Sequence, residues 1–276
     1  MASTAAQIAR SLQGTGIAAL IINEDGIALA ETLRHLRACG VSHVVIAHRN
    51  DTLTTDLDCP SFTLGNGALE KELTAIIRLI TDQWLHLCFN GEFLAFPFAE
   101  SRSLLDFCTF LQEERRRTAH VTVVDHYAGD LASSEFGISL QDAWFDAAGY
   151  YARHSQTPTD PVEPIVDIYG GLRWRYEEEF PAERRRVNRA ALFRCRADLE
   201  LTSDLRFTDP HMNTLQAPWH HSPTGALRSF RAAKYLVINP GSRKRIATFK
   251  WPQSVACDWT SSQLMDLGFI EPGQWF

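Results

Sequence analysis

The sequence predicts an α/β protein built on a mostly parallel sheet that is flanked by helices. Near-continuous apolar runs recur along the first half of the chain, and segments with apolar residues at helical spacing separate them. Strands that are apolar along their whole length are typical of parallel sheets, because both faces of such a sheet are covered. After about Tyr151 this alternation stops, which predicts an irregular C-terminal elaboration.

The predicted strands and helices alternate along residues 16–127. Residues 16–23, GIAALIIN, form one continuous apolar run and predict the first strand. The next predicted helix, over residues 24–40, places Ala30, Leu33 and Leu36 on one face and ends at Gly40. The remaining predicted elements are strands at 41–48 and 61–64, a helix at 69–80, a strand that begins at Trp84, a helix at 104–111 and a strand at 119–127.

The chain divides near residue 152, where its pattern changes. Residues 1–152 form the predicted α/β half, and residues 153–276 are predicted to be an elaboration of the same domain. The segment 153–164, RHSQTPTDPVEP, is rich in Pro and Thr, which is typical of a loop or linker. The rest of the second half mixes short strands with irregular segments rich in Trp and Arg. We expect it to pack on the sheet instead of folding independently.

Composition and charge are those of an ordinary soluble globular protein. Hydrophobic residues make up 45% of the chain and charged residues 22%, and the formal net charge is -6. A negative net charge argues against binding nucleic acid through bulk electrostatics, so no nucleic-acid partner is expected. The apolar run GIAALII is too short to cross a membrane. We therefore expect a cytoplasmic protein without a transmembrane segment, with peripheral membrane contact left open.

Sequence motifs of several enzyme classes are missing. No glycine-rich dinucleotide or Walker loop follows the first strand, and no G-x-S-x-G nucleophile motif occurs. The six cysteines form no C-x-x-C pair, which favours reduced, mostly buried thiols over a zinc or redox motif. A dinucleotide-dependent, P-loop or α/β-hydrolase enzyme is therefore not predicted.

Polar residues follow three of the predicted strands. They are Asn23-Glu24-Asp25, Arg49-Asn50-Asp51 and Asn90-Gly91-Glu92. In open α/β sheets, ligands bind beyond the carboxyl ends of the strands, and the ends of parallel strands share one edge. Each group alone is what any loop would contain. Three such groups on one edge indicate a candidate binding site.

Two basic segments of the second half offer cations. In GGLRWR (170–175), Arg173 and Arg175 would share a face if the segment were extended, and could then bind a diphosphate or a carboxylate. A solvated edge strand paired with the acidic YEEEF that follows would account for the segment equally well. In SFRAAK (229–234), Arg231 and Lys234 have the i, i+3 spacing expected of an exposed basic helix face.

A histidine-rich segment, HMNTLQAPWHH (211–221), lies between these two basic segments. It brings His211, His220 and His221 near Trp219 in the sequence. Because no carboxylates stand at metal-ligand spacing, a hydrogen-bonding loop is a better interpretation than a metal site.

The order of these segments resembles the GT-A glycosyltransferases, in particular the bacterial glycosyltransferase family 2-like group. Members open with an apolar strand, an Asn-Glu turn and a helix ending in Gly-Val, which LIINEDGIALAETLRHLRACGVSHVVIAHRND matches. Their Trp-led strand ending in Asp-x-Asp-Glu-Phe-Leu is matched by WLHLCFNGEFLAFPFAESRSLLDFCTFLQ, and later segments by GGLRWR and HMNTLQAPWHH. The resemblance covers about residues 16–235 and implies a GT-A-like sheet.

The resemblance implies transfer of a sugar from a nucleotide-sugar donor to a glycan, lipid-linked or small-molecule acceptor. In the family, the Asp-x-Asp pair holds Mg²⁺ or Mn²⁺ against the leaving diphosphate. Phe89, Asn90 and Gly91 stand at those positions, so no metal ligand is assigned, although a rearranged Mg²⁺ or Mn²⁺ site on Glu92 stays open. A metal-independent transferase and a non-catalytic nucleotide- or glycan-binding protein of the same fold also stay open.

The expected site residues follow from the strand ends and the resemblance together. Glu92, His211 and His220 are the candidate catalytic residues, since an inverting transferase needs a carboxylate or histidine to take the acceptor proton. Glu92 could instead have a structural role, as a strand-end carboxylate that caps the next turn. The candidate nucleotide-sugar-binding residues are Asn23, Glu24, Asn50, Asp51, Asn90, Arg173, Arg175 and Lys234.

Overall fold

The computed structural model describes residues 3–154, 165–216 and 221–275. Its first half contains α1 (Thr4–Leu12), β1 (Ile17–Asn23), α2 (Leu29–Ala38), β2 (His43–His48), β3 (Ser61–Thr63), α3 (Leu69–Ile77), β4 (Trp84–Phe89), β5 (Glu92–Ala95), α4 (Leu104–Glu113), β6 (Val121–Ala128), β7 (Ala143–Asp146) and β8 (Tyr151–His154). Its second half contains β9 (Val166–Tyr169), α5 (Gly171–Arg175), β10 (Leu192–Arg194), β11 (Gly225–Ser229), α6 (Arg231–Ile238), α7 (Pro240–Arg243), β12 (Ser254–Ala256) and α8 (Ser261–Asp266).

The first sheet has five strands in the order β10-β4-β1-β2-β3. Strands β1 to β4 run parallel, and β10 is antiparallel to β4. The predicted α/β fold, with a mostly parallel sheet flanked by helices, is therefore confirmed. The continuous apolar runs located β1, β2 and β4 because a strand buried on both faces has no polar side to interrupt the pattern, whereas the edge strand β3 is largely exposed.

The second sheet has the order β12-β7-β6-β11-β5, in which β11 is parallel to β6 and the other neighbours are antiparallel. Residues 187–194 lie between the two sheets and bond to both. Leu87 N donates to Ala191 O at 2.7 Å, and Ala119 N donates to Leu192 O at 3.0 Å. Since β4 and β6 are both antiparallel to this segment, their carboxyl ends share one edge with those of β1, β2 and β11.

The first sheet is covered on both faces. All seven residues of β1 are buried. Its residues 18, 20 and 22 pack with α1 and α3 in one hydrophobic cluster, whereas residues 17, 19 and 21 pack with α2 and α4 in another. This division follows from the period of two along a strand. The two clusters hold the strand-end loops on a rigid support.

The helix after β1 starts later than predicted, and a turn takes its place. The Asn23 side chain accepts a hydrogen bond from Gly26 N at 2.8 Å, and the Asp25 side chain accepts one from Ile27 N at 2.9 Å. Asn and Asp side chains favour such turns because they compete with the helix for backbone N–H groups. The polar residues Glu24 and Asp25 are therefore presented on a loop at the carboxyl edge of the sheet.

Two further expectations concerned the state of the cysteines and the presence of membrane-spanning segments. All six cysteines are free, and Cys88, Cys108 and Cys195 are buried. Burial raises the pKa of these three thiols, so they are protonated at neutral pH. Among the residues that the structure describes, none of the helices has both the length and the apolar character needed to span a membrane.

Candidate functional site

The candidate site lies at the carboxyl edge of the first sheet. Asn23 of β1 lies beside His48 of β2, and Ile22 of β1 lies beside Phe89 of β4. The loops that follow these three strands therefore leave the sheet at the same edge, as their polar sequences predicted. Contacts between the loops after β1 and β4 organise the site.

Asn90 ties the loop after β4 to the loop after β1. Its side-chain oxygen accepts a hydrogen bond from Glu24 N at 2.8 Å, and its Nδ2 donates to Asp25 and to Ile27 O. Asn90 is completely buried. Gly91 follows with φ +79°, a conformation that a residue with a Cβ adopts only with strain. The Asn90 amide is thus used within the protein and holds the two loops together.

Glu92 is also completely buried at the start of β5. Its carboxylate accepts hydrogen bonds from Phe89 N at 2.8 Å and from Ser229 Oγ at 3.1 Å. It also forms a short ion pair with Arg189, which lies in the segment between the two sheets. Burial lowers the pKa of Arg189, and the negative charge of Glu92 opposes that effect. Every contact of Glu92 points into the protein.

The start of α6 supplies two cations to the same edge, because α6 follows directly after β11. Arg231 binds Glu24 with two hydrogen bonds, of 2.8 and 2.7 Å, and its guanidinium carbon lies 3.5 Å from the centre of the Phe89 ring. Lys234 lies 2.9 Å from Asp25 and is 3% exposed. The expectation that this basic face is exposed was wrong: the face is turned inward, against the loop after β1.

Carboxylates and cations at this edge occur in closed pairs. The pairs are Glu24 with Arg231, Asp25 with Lys234, and Glu92 with Arg189. Burial raises the pKa of Glu24, but the charge and hydrogen bonds of Arg231 outweigh it, so the pKa stays below its ordinary value. We call these six residues the strand-end cluster.

Two further arginines approach the strand-end cluster. Arg184, at the end of the 3-10 helix Ala182–Arg184, is exposed, and its charge contributes to lowering the pKa of Glu24. Arg173 is near enough to Arg189 for its charge to add to the lowering of that residue's pKa by burial. Arg184 therefore adds a positive charge beyond those of the three pairs, whereas Arg173 has its own carboxylate partner in Asp125.

The segment GGLRWR is a short helix, α5, and not the extended strand that the sequence suggested. In a helix Arg173 and Arg175 do not form a pair on one face, and each has its own buried carboxylate. Arg173 lies 3.3 Å from Asp125, and Arg175 donates to both oxygens of Asp146 at 3.1 and 3.2 Å. Gly171, with φ +62°, begins this helix, and a Cβ at this position would lie only 3.0 Å from Asp125 Oδ2.

Asn23 supports the edge from inside the sheet. It is completely buried, and its Nδ2 lies 2.9 Å from His48 Nδ1. Asn50 and Asp51, after β2, are exposed. The Asn50 side chain accepts hydrogen bonds from the N–H and hydroxyl groups of Thr52, at 3.1 and 2.6 Å, and so caps its own turn. The loop after β2 therefore borders the strand-end cluster without joining it.

The candidate histidines are not brought to this edge. His211 is exposed on the 3-10 helix Pro210–Asn213. The adjacent Thr214 accepts hydrogen bonds from Arg116, which precedes β6 and so lies towards the opposite edge of the sheets. His220 lies outside the described residues.

The strand ends do not fit the divalent metal that the resemblance implies. Phe89 and Gly91 stand where the family has aspartates and supply no side-chain oxygen. The Asn90 amide is used within the loop, and the nearby carboxylates are paired with cations. Within the described ranges, no three His, Cys, Asp or Glu side chains form a group that could hold a metal ion.

Sequence reasoning missed Arg184, Arg189 and Arg231 as members or neighbours of the site. The signal for Arg231 was present in its i, i+3 spacing with Lys234, which places both cations on one helix face. For Arg189, which lies 97 positions from Glu92 in the chain, the local sequence carries no signal. Its role follows only from the position of residues 187–194 between the sheets.

Comparison with known proteins gives no family for this chain. No protein-family model matches the sequence, and no curated protein matches it.

Proposed function

We propose that the protein is a glycosyltransferase-like protein of GT-A type that binds the diphosphate of a nucleotide-sugar through arginine and lysine instead of a metal ion. The observation that carries this proposal is the position of Arg231 and Lys234, which reach from α6 to the loops after β1 and β4. Open α/β sheets bind their ligands at this edge. The donor would lie across it, and its sugar would pass to an acceptor hydroxyl.

The cations on α6 have the chemistry that a departing diphosphate requires. Fixed guanidinium and ammonium groups can stabilise the negative charge that develops on the leaving group, as a metal ion does. Arg231 can offer phosphate oxygens the two parallel N–H donors that it now offers Glu24. Lys234 Nζ also donates to Asn90 O at 3.3 Å, which holds it where β4 ends. Exposed Arg184 adds a third cation.

The pair of Glu24 and Arg231, and Asp25 of the pair with Lys234, are the parts of the strand-end cluster that are open to a ligand. The side chains of Glu24 and Arg231 are 34% and 26% exposed, whereas those of Glu92 and Arg189 are 0% and 7% exposed. A partly exposed ion pair contributes little free energy, so a diphosphate can displace Glu24 from Arg231. Without ligand, Glu24 keeps the guanidinium in position.

A non-catalytic nucleotide- or glycan-binding protein of the same fold is the second candidate. It is favoured by the environment of Glu92, which is completely buried against Arg189 and has no open path to an acceptor hydroxyl. His211 lies towards the opposite edge. A transferase needs a group that takes the acceptor proton, whereas a binding protein does not. Release of nucleotide from UDP- and GDP-sugars in the presence of acceptor glycans would favour the transferase.

Nucleotide binding should be independent of divalent metal. In calorimetric titrations of UDP, GDP and CMP, the Kd of the preferred nucleotide should agree within about twofold between EDTA and Mn²⁺. The reason is that positively charged side chains of the protein, and not a bound metal ion, contact the diphosphate. Affinity that rises about tenfold or more with Mn²⁺ would contradict the proposal. Absence of binding by all three nucleotides would remove the nucleotide-sugar function altogether.

Arg231→Ala should weaken binding of the preferred nucleotide about ten- to a hundredfold, because it removes charge-assisted hydrogen bonds worth about 1.5–3 kcal/mol. It also leaves Glu24 free to repel the diphosphate. The matched control is Arg194→Ala, which removes a partly exposed arginine paired with Asp82 just before β4, at the opposite edge. The control should bind like the wild type. Equal affinity of both variants would exclude Arg231 from the site.

A further inference from the structure

A cavity of about 350 Å³ lies away from the strand-end cluster, where α2 and β5 end. α2 starts at the carboxyl edge of the first sheet and runs back along it, so its end lies towards the opposite edge. The apolar part of the lining includes Leu94, Phe96 and Trp259. The polar part includes Glu100, Arg102, Ser103 and Arg228.

Arg228, on β11, is 3% exposed and lines this cavity. Its Nη2 donates to Thr260 O at 2.7 Å, but its Nε is buried and has no hydrogen-bond acceptor among the described residues. Glu100 and Asp258 are near enough to act on its charge, yet neither forms an ion pair with it. The carboxylate of Glu100 is instead held by the N–H and hydroxyl groups of Ser261.

This environment differs from that of four other cations whose side chains are largely buried. Arg173, Arg175, Arg189 and Lys234 each have a carboxylate partner. Burial lowers the pKa of Arg228, and the nearby Cys257 thiol, whose own pKa burial raises, is neutral and supplies no countercharge. A buried charge without a countercharge is costly, and an anion that enters the cavity would remove that cost.

We propose that this cavity is a binding site for a small organic anion, with one carboxylate or phosphate group against Arg228 and an apolar body against Trp259 and Phe96. The Trp259 ring already lies 5.6 Å from the guanidinium carbon of Arg228, so a flat apolar group can pack beside the charge. Arg102 stands at the same cavity with its guanidinium over the rings of Phe98 and Trp275, at 5.0 and 4.7 Å. The volume is within the range of small-molecule sites, about 300–1,000 Å³.

Thermal unfolding with benzoate, phenyl phosphate or inorganic phosphate tests this site, with NaCl at equal ionic strength as the reference. The Tm of the wild type should rise with the concentration of benzoate or phenyl phosphate, because a ligand of the folded state stabilises it. Benzoate and phenyl phosphate distinguish the two anionic groups, and inorganic phosphate shows whether the apolar body is needed. No rise with either aromatic anion up to millimolar concentrations would overturn the proposal.

Two variants show whether the rise in Tm depends on Arg228. Arg228→Met should be at least as stable as the wild type without anion and should lose the rise in Tm, since Met fills a similar volume without a charge. Arg231→Met, in the strand-end cluster, should keep the rise, so this result does not depend on the proposed nucleotide site. An equal response of Arg228→Met would overturn the proposal. If Arg228→Met fails to fold, tryptophan fluorescence gives a second test. Phenyl phosphate should quench the fluorescence of the wild type, and this quenching should be lost in Trp259→Phe. Quenching that persists in Trp259→Phe would overturn the proposal.

Discussion

Acidification from pH 7 to pH 5 should lower the free energy of unfolding, because three buried histidines together remove about 6 kcal/mol of stability, which is about 2 kcal/mol for each. Burial lowers the pKa of His86, His120 and His126 to about 3, from an ordinary value of about 6.5. The unfolded chain therefore binds three more protons than the folded chain once the pH falls below 6.5. This part of the stability is fully present above pH 6.5 and is lost progressively below it.

Burial of these rings explains why the folded protein resists protonation, although the hydrogen bonds of His86 and His126 to backbone carbonyl groups favour the protonated form. His86 Nδ1 lies 2.9 Å from Ala191 O, and His126 Nδ1 lies 2.9 Å from Val124 O, so this nitrogen carries the proton in each neutral ring. Nε2 of all three histidines is buried without a hydrogen-bond partner in the described part of the chain. A second proton would place an unsatisfied charged N–H in the core.

Two buried carboxyl groups act in the opposite direction. Burial raises the pKa of Asp125 and Asp146, so on acidification the folded state takes up their protons before the unfolded chain does. Their contribution stabilises the protein as the pH falls and offsets part of the loss from the histidines. Each also faces an arginine of α5, which limits the rise in pKa. The histidines should therefore dominate between pH 7 and pH 5.

Urea unfolding at pH 7, 6 and 5 measures this loss. His126→Phe is the informative variant, because the His126 ring stacks on Phe145 at 4.8 Å and a phenyl ring can replace it without titrating. The fall in stability from pH 7 to pH 5 should be smaller in this variant by about 2 kcal/mol. A wild type whose unfolding free energy is equal at pH 7 and pH 5 would show that these histidines are not held neutral.

The strands of the first sheet could be predicted because their information is local. The run Ile17–Asn23 is apolar along its whole length and is buried throughout, so the sequence pattern and the environment coincide. The same holds for Trp84–Phe89, which ends where the polar group Asn90-Gly91-Glu92 begins. Because these strands are parallel, their polar ends could be predicted to lie at one edge of the sheet.

The interior of the candidate site could not be predicted because its partners are distant in the chain. An arginine and a lysine at i, i+3 are equally compatible with an exposed and a buried helix face. Arg231 is partly buried and Lys234 is buried because Glu24 and Asp25 lie opposite them, 207 and 209 positions away. The helix at GGLRWR likewise begins where Gly171 approaches Asp125 of β6, which is distant in the chain. Such contacts cannot be predicted from a local sequence pattern.

Glu92→Ala should destabilise the protein by about 3–5 kcal/mol, one of the largest effects of a single substitution at this edge. The change leaves Arg189 buried without its countercharge and removes the acceptor of the Phe89 N–H and Ser229 hydroxyl groups. Urea unfolding at neutral pH measures the effect. The double variant Glu92→Leu, Arg189→Met removes both charges together and should recover most of the lost stability.

Glu92→Gln separates a structural role of this residue from a catalytic one. Glutamine keeps the volume of the side chain but removes the charge that compensates Arg189, so we expect a destabilised protein whose nucleotide affinity is unchanged once it is folded. Any loss of turnover should then follow the fraction of folded protein and disappear at lower temperature. A Glu92→Gln protein as stable as the wild type that binds nucleotide normally but has no turnover would contradict this. That result would mean that the buried carboxylate takes part in the chemistry after all.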